Sequence, residues 1–153
     1  MGTGPLEAEL QQTARVLGVR EKVRFFGDIG DAELPLYYHA CDVFVFPSIT
    51  PNEAFGLAQV EAMACGKPVV ACQLRSGVPY ITDNGLAGLT VPPTDPDSLA
   101  AAIRTLLNDL QLRRQLGDYG RKRAFSEFSE PVMVERYWKL IQELTSRSPA
   151  DSV

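Results

Sequence analysis

The stretch Asp42-Val-Phe-Val-Phe-Pro47 holds four successive apolar residues and stops at a proline, a pattern typical of a strand covered on both faces of a sheet. Pro68-Val-Val-Ala-Cys72 repeats the pattern, and Gly88-Leu-Thr-Val91 is a shorter version that runs into Pro92-Pro93. Strands that are apolar throughout and separated by helical patterns predict a parallel α/β sheet with right-handed crossovers.

Helical patterns separate and follow these strands. A further strand is expected at Val23 to Gly27, after a helix that opens at Pro5 and stops at Gly18. The remaining helices are predicted over Asp31 to Cys41 with Asp31 as the cap, Ala54 to Cys65, Asp95 to Asn108, Leu112 to Phe125, and Pro131 to Leu144. Residues 1–145 are therefore expected to form one partial domain, and residues 146–153 a frayed tail.

Length, charge and cysteine content narrow the class of protein. The 153 residues allow one globular unit and hardly two. With 15 Lys and Arg against 19 Asp and Glu, the net charge is −4, so no nucleic-acid partner is expected. No apolar run approaches the ~20 residues of a membrane helix, and residues 1–9 do not resemble a signal peptide. Cys41, Cys65 and Cys72 lack CxxC spacing and are expected to be reduced, buried, small hydrophobic residues of a cytoplasmic protein.

The helix that follows Pro47 carries the most information. Its residues from Phe55 to Cys65 are apolar or small except Gln59 and Glu61, so the helix is expected to be buried, with Glu61 at the edge of its apolar arc. Burying a carboxylate is costly unless a partner hydrogen-bonds it. A ligand hydroxyl group is one candidate partner, and an ion pair with a basic residue is the alternative.

A second carboxylate, Glu53, lies eight residues earlier in the loop after the strand's carboxyl end. Ligands of parallel sheets bind outside those ends, and the backbone N–H groups of Gly56 and Leu57 at the helix start suit phosphate oxygens. Eight residues of helical rise span ~12 Å, more than the ~5–9.5 Å between the carboxyls of a glycosidase pair. The two glutamates are therefore expected to hydrogen-bond two separated hydroxyl groups of one ligand, with a diphosphate between these hydroxyls. The alternative is a pair of surface and capping carboxylates.

These residues form part of a longer pattern. Pro47-Ser48 with Glu53-x-Phe-Gly-Leu-x-x-x-Glu61-Ala-Met-Ala-x-Gly-x-Pro-Val-Val-Ala71 closely resembles the donor-site signature of retaining GT-B glycosyltransferases of group 1, or family 4. The resemblance extends over about residues 4–145 and implies a Rossmann-like donor-binding domain, the C-terminal half of a GT-B fold, truncated at its N-terminus.

The resemblance also implies roles for individual residues. Glu53 would be the catalytic residue and would hydrogen-bond the hydroxyls of the donor sugar. Glu61 would hold the ribose hydroxyls of the nucleotide. The intervening segment Ala54, Phe55, Gly56 and Leu57 would bind the donor, the last three through backbone N–H groups directed at the sugar and diphosphate. No metal and no cofactor are expected, because the nucleotide-diphosphate sugar is itself the substrate.

The implied reaction transfers a sugar to an acceptor hydroxyl with retention of anomeric configuration, in polysaccharide or glycolipid biosynthesis. The implied partners are an N-terminal acceptor-binding domain and, by peripheral contact at the inner face of the membrane, a lipid-linked acceptor. The chain alone is expected to be inactive. The alternative from another class is a non-catalytic module that binds a nucleotide sugar or a partner protein. A receiver-like domain would need an acidic cluster that Asp28 and Asp31 alone do not make.

The sequence departs from the family pattern in two places. A Gly-Gly followed by a Glu is common between the last two strands, where this chain has Arg75-Ser-Gly-Val-Pro-Tyr80, so no catalytic acid is assigned there. The family's first two strands and the Arg and Lys that clamp the diphosphate are not in the chain. In the family's strand order 3-2-1-4-5-6, Val23 to Phe26 is then expected either to pair with Asp42 to Phe46 or to leave that strand as an associating edge.

Two further expectations concern the last helices. Their basic residues are expected to form a solvated surface, with a contact to an anionic membrane or to the N-terminal domain as the alternative; these residues are Arg104, Arg113, Arg114, Arg121, Lys122 and Arg123. Tyr137 and Trp138 are expected to be packing residues rather than a platform for stacking a base.

Overall fold

The computed structural model describes residues 3–50, 52–82 and 85–146. Its α-helices are α1 Glu7–Val16, α2 Leu34–Ala40, α3 Leu57–Ala64, α4 Val78–Thr82, α5 Pro96–Asn108, α6 Leu110–Glu127 and α7 Glu130–Ser146. The strands are β1 Phe44–Phe46, β2 Val69–Cys72 and β3 Gly88–Val91, and one 3-10 turn covers Arg20–Lys22. The chain divides into two compact units, Met1–Tyr37 and Tyr38–Val153.

The first unit is built around α1. The helix ends, as predicted, just before Gly18, which adopts a left-handed φ of +66°. Arg20 donates to the carbonyl of Val23 at 3.1 Å, and its guanidinium lies over the ring of Phe25. Residues 23–27 carry no ladder hydrogen bonds, so the predicted strand there is wrong. Alternating apolar residues indicate which side chains are withdrawn from water. A strand also needs a neighbouring backbone with which it forms ladder hydrogen bonds.

The sheet lies in the second unit and confirms the predicted parallel α/β architecture. Its described strands run in the order β1-β2-β3, all parallel, which matches the last three positions of the expected strand order. All four residues of β2 are buried, and a side chain at Gly88 would collide with the backbone of Val69 on β2. β1 is only partly buried, and β2 is its one ladder partner among the described residues. The expectations that both faces of β1 are covered and that Val23 to Phe26 pairs with it are therefore wrong, whereas the alternative, association of the chain through this edge, stays a prediction.

Several helix boundaries differ from the predicted ones. α2 begins at Leu34 rather than Asp31, because residues 31–33 form a turn and Pro35, which lacks an N–H, suits the first turn of a helix. α3 begins at Leu57 rather than Ala54. The short α4 was not predicted. α5 begins after Asp95, whose carboxylate accepts from Ser98 N at 2.9 Å as an N-cap.

The last two helices have opposite environments. α6 packs closely on α3, since a Cβ at Gly117 would collide with the carbonyl of Gly66 and one at Gly120 would lie 3.1 Å from Met63. Arg123 of α6 is buried, so a solvated surface is wrong for this residue. No described residue of α7 is buried, and Tyr137 and Trp138 are 65% and 60% exposed, so their expected packing is not found.

Three remaining expectations concern the cysteines, membrane-spanning helices and the C-terminal tail. The cysteines are free thiols, but only Cys72 is buried; Cys41 and Cys65 are partly exposed. Burial raises the pKa of all three thiols. Across the part of the chain that the structure describes, no helix is long and apolar enough to span a membrane. The predicted frayed tail lies outside the described residues except for Ser146, which ends α7.

Candidate functional site

The carboxyl ends of the three parallel strands lie at one edge of the sheet, and each continues into a loop. The loop after β1, the β1–α3 loop, leads into α3. Its described residues are 47–50 and 52–56. The loop after β2 leads into α4, and the loop after β3 leads through Thr94, at a positive φ of 60°, to the Asp95 cap of α5. This edge is where parallel α/β sheets bind ligands.

The β1–α3 loop ends in a turn that leaves backbone donors free. Gly56 adopts a left-handed conformation, φ +86° and ψ 59°, immediately before the first residue of α3. Within the described residues, the N–H groups of Phe55, Gly56 and Leu57 donate to no acceptor, and no side chain caps the helix. A left-handed residue at a helix start, with successive free N–H groups, forms an anion-binding concavity.

The loop is held from the other side by Gly77. Its N–H donates to the carbonyl of Ala54 at 2.8 Å. A Cβ at position 77 would lie 2.7 Å from that same carbonyl oxygen and 3.1 Å from the ring of Phe55, so only glycine permits this approach. The segment Arg75 to Tyr80, to which no catalytic role was assigned, thus supports the β1–α3 loop.

Glu53 lies in this loop and is partly exposed. Its backbone N–H donates to Thr50 O at 3.3 Å, whereas its carboxylate makes no hydrogen bond or ion pair with any described residue. Because α3 begins four residues later, the estimate of ~12 Å for eight helical residues does not apply. Only Leu57 to Glu61 contributes helical rise, roughly 6 Å.

Glu61 lies on the exposed face of α3, which contradicts the expected burial of its carboxylate. The buried residues of α3 are Gln59, Ala62 and Met63, whereas Leu57 is 67% exposed. The helix buries the face that meets the sheet and α6, and its overall apolar composition does not reveal which face that is. Glu61 pairs with no basic residue in the part of the chain that the structure describes; its Oε2 accepts from the hydroxyl of Tyr38 at 2.7 Å.

Tyr38 is a site residue that the sequence did not reveal. Its side chain is 5% exposed, and its ring meets Phe44 edge to face at 5.4 Å. Burial, followed by the hydrogen bond to Glu61, raises the pKa of the Tyr38 phenol far above its ordinary range. Tyr38 is therefore a fixed neutral donor that holds one oxygen of Glu61.

Gln59 is a second feature of interest on α3. It is fully buried, and neither its amide nitrogen nor its amide oxygen has a partner among the described residues. Its amide lies beneath Gly56, where any Cβ would collide with it, and the ring of Phe46 lies 3.2 Å from the same position. The side chain of Gln59 thus adds a second reason for glycine at position 56, besides the positive φ.

An aromatic cluster connects the β1–α3 loop to α6. Phe55 meets Phe128 edge to face at 5.8 Å, and Phe128 meets Tyr80 at 6.1 Å. The guanidinium of Arg123 lies over both Tyr80 and Phe128, at 4.8 and 5.1 Å from the ring centroids. The sequence gave no signal for this cluster, because its members come from three separate elements.

The third loop contributes an ordered cap rather than a free group. Both oxygens of Asp95 are bonded to Ser98, at 2.9 Å to the backbone N–H and 2.6 Å to the hydroxyl. These hydrogen bonds lower the pKa of the Asp95 carboxyl. Over residues 3–50, 52–82 and 85–146, no three His, Cys, Asp or Glu side chains are grouped so that they could hold a metal ion.

Comparison with known sequences places this geometry in context. Residues 1–123 match the family Glycosyl transferases group 1. The D-inositol 3-phosphate glycosyltransferase of Corynebacterium jeikeium (strain K411) is 40% identical over 144 residues, which cover 94% of this chain and 33% of that protein. The O-antigen chain mannosyltransferase C of Escherichia coli is 30% identical over 144 residues, 94% of this chain and 38% of that protein. The chain thus spans about a third of the length of these relatives.

A solved structure has the same fold. Anabaena Alr3699/HepE, in complex with UDP, superposes with a TM-score of 0.79 at 31% sequence identity, over 92% of this chain and 36% of that chain. The same protein is also known in complex with UDP-glucose. The parallel sheet and its flanking helices match the C-terminal domains of GT-B glycosyltransferases, which confirms the predicted fold class.

Proposed function

The chain belongs to the glycosyl transferases group 1 family, and from this premise we propose that it is the donor-binding part of a retaining family 4 glycosyltransferase. Its substrate is a nucleotide-diphosphate sugar, and the complete protein transfers the sugar to an acceptor hydroxyl. The observation that carries the proposal is the β1–α3 loop, where three free N–H groups surround a left-handed glycine at the start of α3.

The free N–H groups suit the diphosphate. Phe55, Gly56 and Leu57 present positive partial charge at the N-terminal end of α3, where the helix dipole adds to it. As the bond from the anomeric carbon to the diphosphate breaks, negative charge grows on the departing oxygen. Donors fixed in advance stabilise that charge more than they stabilise the intact substrate, which is how binding becomes catalysis.

The two glutamates suit hydroxyl groups on either side of the diphosphate. Glu53, with both oxygens unpaired in the described residues, accepts from hydroxyls of the donor sugar. Glu61 keeps one oxygen for the ribose, because Tyr38 occupies the other. An ionised carboxylate makes strong, short hydrogen bonds with hydroxyls, and two such groups fix the orientation of the donor at both ends.

The stereochemistry and cellular setting are parts of the same proposal. The acceptor hydroxyl attacks the face from which the diphosphate leaves, so the anomeric configuration is retained, and the acceptor is held by an N-terminal domain. The reaction serves polysaccharide or glycolipid biosynthesis in the cytoplasm, with peripheral contact at the membrane where the acceptor is lipid-linked. The O-antigen chain mannosyltransferase among the relatives supports this setting.

Titration of the chain with UDP-, GDP-, ADP- and TDP-sugars by calorimetry tests the proposal. At least one donor is expected to bind, and replacing Glu61 with Ala is expected to weaken that binding. Absence of binding by every donor would contradict the proposal. A transfer assay on the full-length protein then separates an enzyme from a non-catalytic binding module, since a module binds the donor without releasing nucleotide diphosphate.

A further inference from the structure

Arg123 of α6 is a buried cation that donates hydrogen bonds both to α4 and to its own helix. Its side chain is 5% exposed. Its Nη1 donates to the backbone carbonyls of Tyr80 and Ile81, each at 2.7 Å, and its Nε donates to Glu127 at 3.1 Å. The hydrogen bonds to Tyr80 and Ile81 tie α6 to α4 across 43 and 42 residues of sequence.

The same guanidinium also fixes two aromatic rings. It lies over Tyr80 at 4.8 Å and over Phe128 at 5.1 Å, so it contacts one ring from α4 and one from the end of α6, and these two rings meet each other edge to face. Attraction between a cation and ring faces strengthens when the cation is withdrawn from water, as here. The positions of Tyr80 and Phe128 therefore depend on Arg123.

Two routes lead from this cluster to the β1–α3 loop. Phe128 contacts Phe55 edge to face at 5.8 Å, and Phe55 lies in the loop itself. Tyr80 belongs to α4, which directly follows Gly77, the residue that donates to Ala54 O at 2.8 Å. The ring contact and the backbone hydrogen bond hold adjacent residues of the loop, beside Glu53 and the free N–H groups.

We propose that Arg123 is a positioning residue, which acts through Phe128 and Tyr80 to fix the β1–α3 loop in the geometry that binds the diphosphate and the sugar. The consequence for binding rests on the proposed function, whereas the fixing of the loop does not. Lysine does not replace arginine here, because its single nitrogen cannot bond the two carbonyls as Nη1 does and Glu127 as Nε does, and it has no planar group to lie over the two rings.

Hydrogen exchange measured by mass spectrometry on the chain tests the fixing of the loop directly. Arg123→Lys and Phe128→Leu are each compared with wild type, and Arg114→Lys is the matched control, since Arg114 is an exposed arginine of the same helix. Exchange of the Glu53 and Gly77 amides, whose N–H groups donate to Thr50 O and Ala54 O, is expected to rise about five- to thirtyfold in both variants, the factor that corresponds to losing one anchoring contact. Exchange of β2 is expected to stay unchanged, as is all exchange in Arg114→Lys.

A double-mutant cycle distinguishes a positioning role of Arg123 from a general contribution to the stability of the fold. In a Phe55→Leu background, Arg123→Lys is expected to add less to the exchange of the Glu53 amide than it does in wild type, since the route through the Phe55 ring is gone and only the route through Tyr80 and Gly77 remains. An arginine that only stabilises the fold would accelerate exchange equally in both backgrounds. Unchanged exchange of the Glu53 and Gly77 amides in both single variants, or a rise only in step with β2, would overturn the proposal.

Binding provides the functional arm. The tightest of UDP, GDP, ADP and TDP for the wild-type chain is titrated into each variant, and its affinity is expected to fall about five- to thirtyfold in Arg123→Lys and Phe128→Leu but not in Arg114→Lys. Wild type that binds none of the four contradicts the proposed function and leaves the exchange result to decide on Arg123. Wild type that binds, with equal affinity in Arg123→Lys, contradicts the role of Arg123 in ligand binding.

Discussion

Glu53 and Glu61 are eight residues apart in the sequence and have different structural support. Glu53 lies in a loop, its carboxylate is unpaired among the described residues, and its position is set through its neighbours Ala54 and Phe55. Glu61 lies on α3, which is packed against the sheet and α6, and Tyr38 holds one of its oxygens. The position of Glu53 therefore depends on residues far along the chain, whereas that of Glu61 depends on one rigid helix.

The two sides of the proposed site should therefore respond differently to mutation. In the proposed function Glu53 contacts the reacting sugar, so substitutions in distant supporting residues should affect its side. The Glu61 side should respond only to its own carboxylate and to Tyr38. Turnover and nucleotide affinity should then measure the two sides separately, because in this proposal only Glu53 acts on the sugar.

The largest effect is expected from Gly77→Ala, which acts on Glu53 without touching it. The new Cβ would lie 2.7 Å from Ala54 O and displace the loop. Since a misplacement of ~1 Å in an active site costs ~10²-fold in rate, turnover in the full-length protein should fall by about that factor. The measurement is the rate of nucleotide-diphosphate release. Gly30→Ala is the control, because no atom of the described residues lies within 4 Å of a Cβ there. Wild-type turnover in Gly77→Ala would remove the distinction between the two sides.

Glu61→Ala is expected to have the next largest effect, on affinity. Loss of a hydrogen bond to a charged group should weaken binding of both the nucleotide sugar and the free nucleotide diphosphate by ~1.5–3 kcal/mol, because both contain the ribose. Calorimetry on the full-length protein measures the two affinities. Glu135→Ala, which removes another exposed glutamate, is the control. Unchanged affinity for both ligands would exclude Glu61 from the ribose site.

Glu53→Gln should show the opposite pattern. The amide keeps the shape and one acceptor but loses the charge, and charge-assisted hydrogen bonds are roughly twice as strong as neutral ones. Turnover with the nucleotide sugar should fall about five- to thirtyfold, while affinity for the free nucleotide diphosphate stays nearly unchanged. Steady-state kinetics and calorimetry on one preparation decide this, and equal losses for both ligands would contradict the division between Glu53 and Glu61.

Tyr38→Phe should have the smallest effect on binding. It frees an oxygen of Glu61 and removes one hydrogen bond, which costs about 1 kcal/mol in nucleotide affinity.

The pH dependence of stability provides an independent signature of Tyr38. Folding raises the pKa of the Tyr38 phenol. At any pH below the ordinary tyrosine pKa of about 10, the neutral phenol therefore makes its full contribution to the stability of the fold. That stability is lost as pH rises through the raised pKa. Thermal unfolding between pH 8 and 11.5 should therefore show a steeper fall above pH 10 for wild type than for Tyr38→Phe, and parallel curves would argue against a raised pKa of the buried phenol.

Much of the fold was predictable because its signals are local. Three of the four predicted strands were found, and β3 matched residue for residue, whereas the strand expected at Val23 to Gly27 was not. Gly18 and Gly66 ended their helices with positive φ, and Asp95 capped α5. The location of the candidate site followed as well, since parallel strands place the loops at their carboxyl ends on one edge of the sheet.

Burial was less predictable than secondary structure. α7 carries more large apolar side chains than α6, yet α6 buries Leu116, Arg123 and Ala124 while no described residue of α7 is buried. Gly117 and Gly120 let α6 approach α3 closely, and that approach depends on which helix faces them. The environment of Arg123 followed from this packing, although its neighbours in sequence are the exposed Arg121 and Lys122.

The parallel α/β architecture, the three strands of the sheet and the position of the β1–α3 loop at their carboxyl ends follow from the sequence alone. These features depend on backbone preferences and on side-chain periodicity, which act over a few residues. Only the tertiary structure decided that Glu61 is exposed and held by Tyr38, that Gly77 supports the β1–α3 loop, and that Arg123 connects α6 to Phe128. Each of these contacts joins residues at least five positions apart, most of them more than twenty, and their partners are specified by the packing of helices and strands rather than by any local pattern.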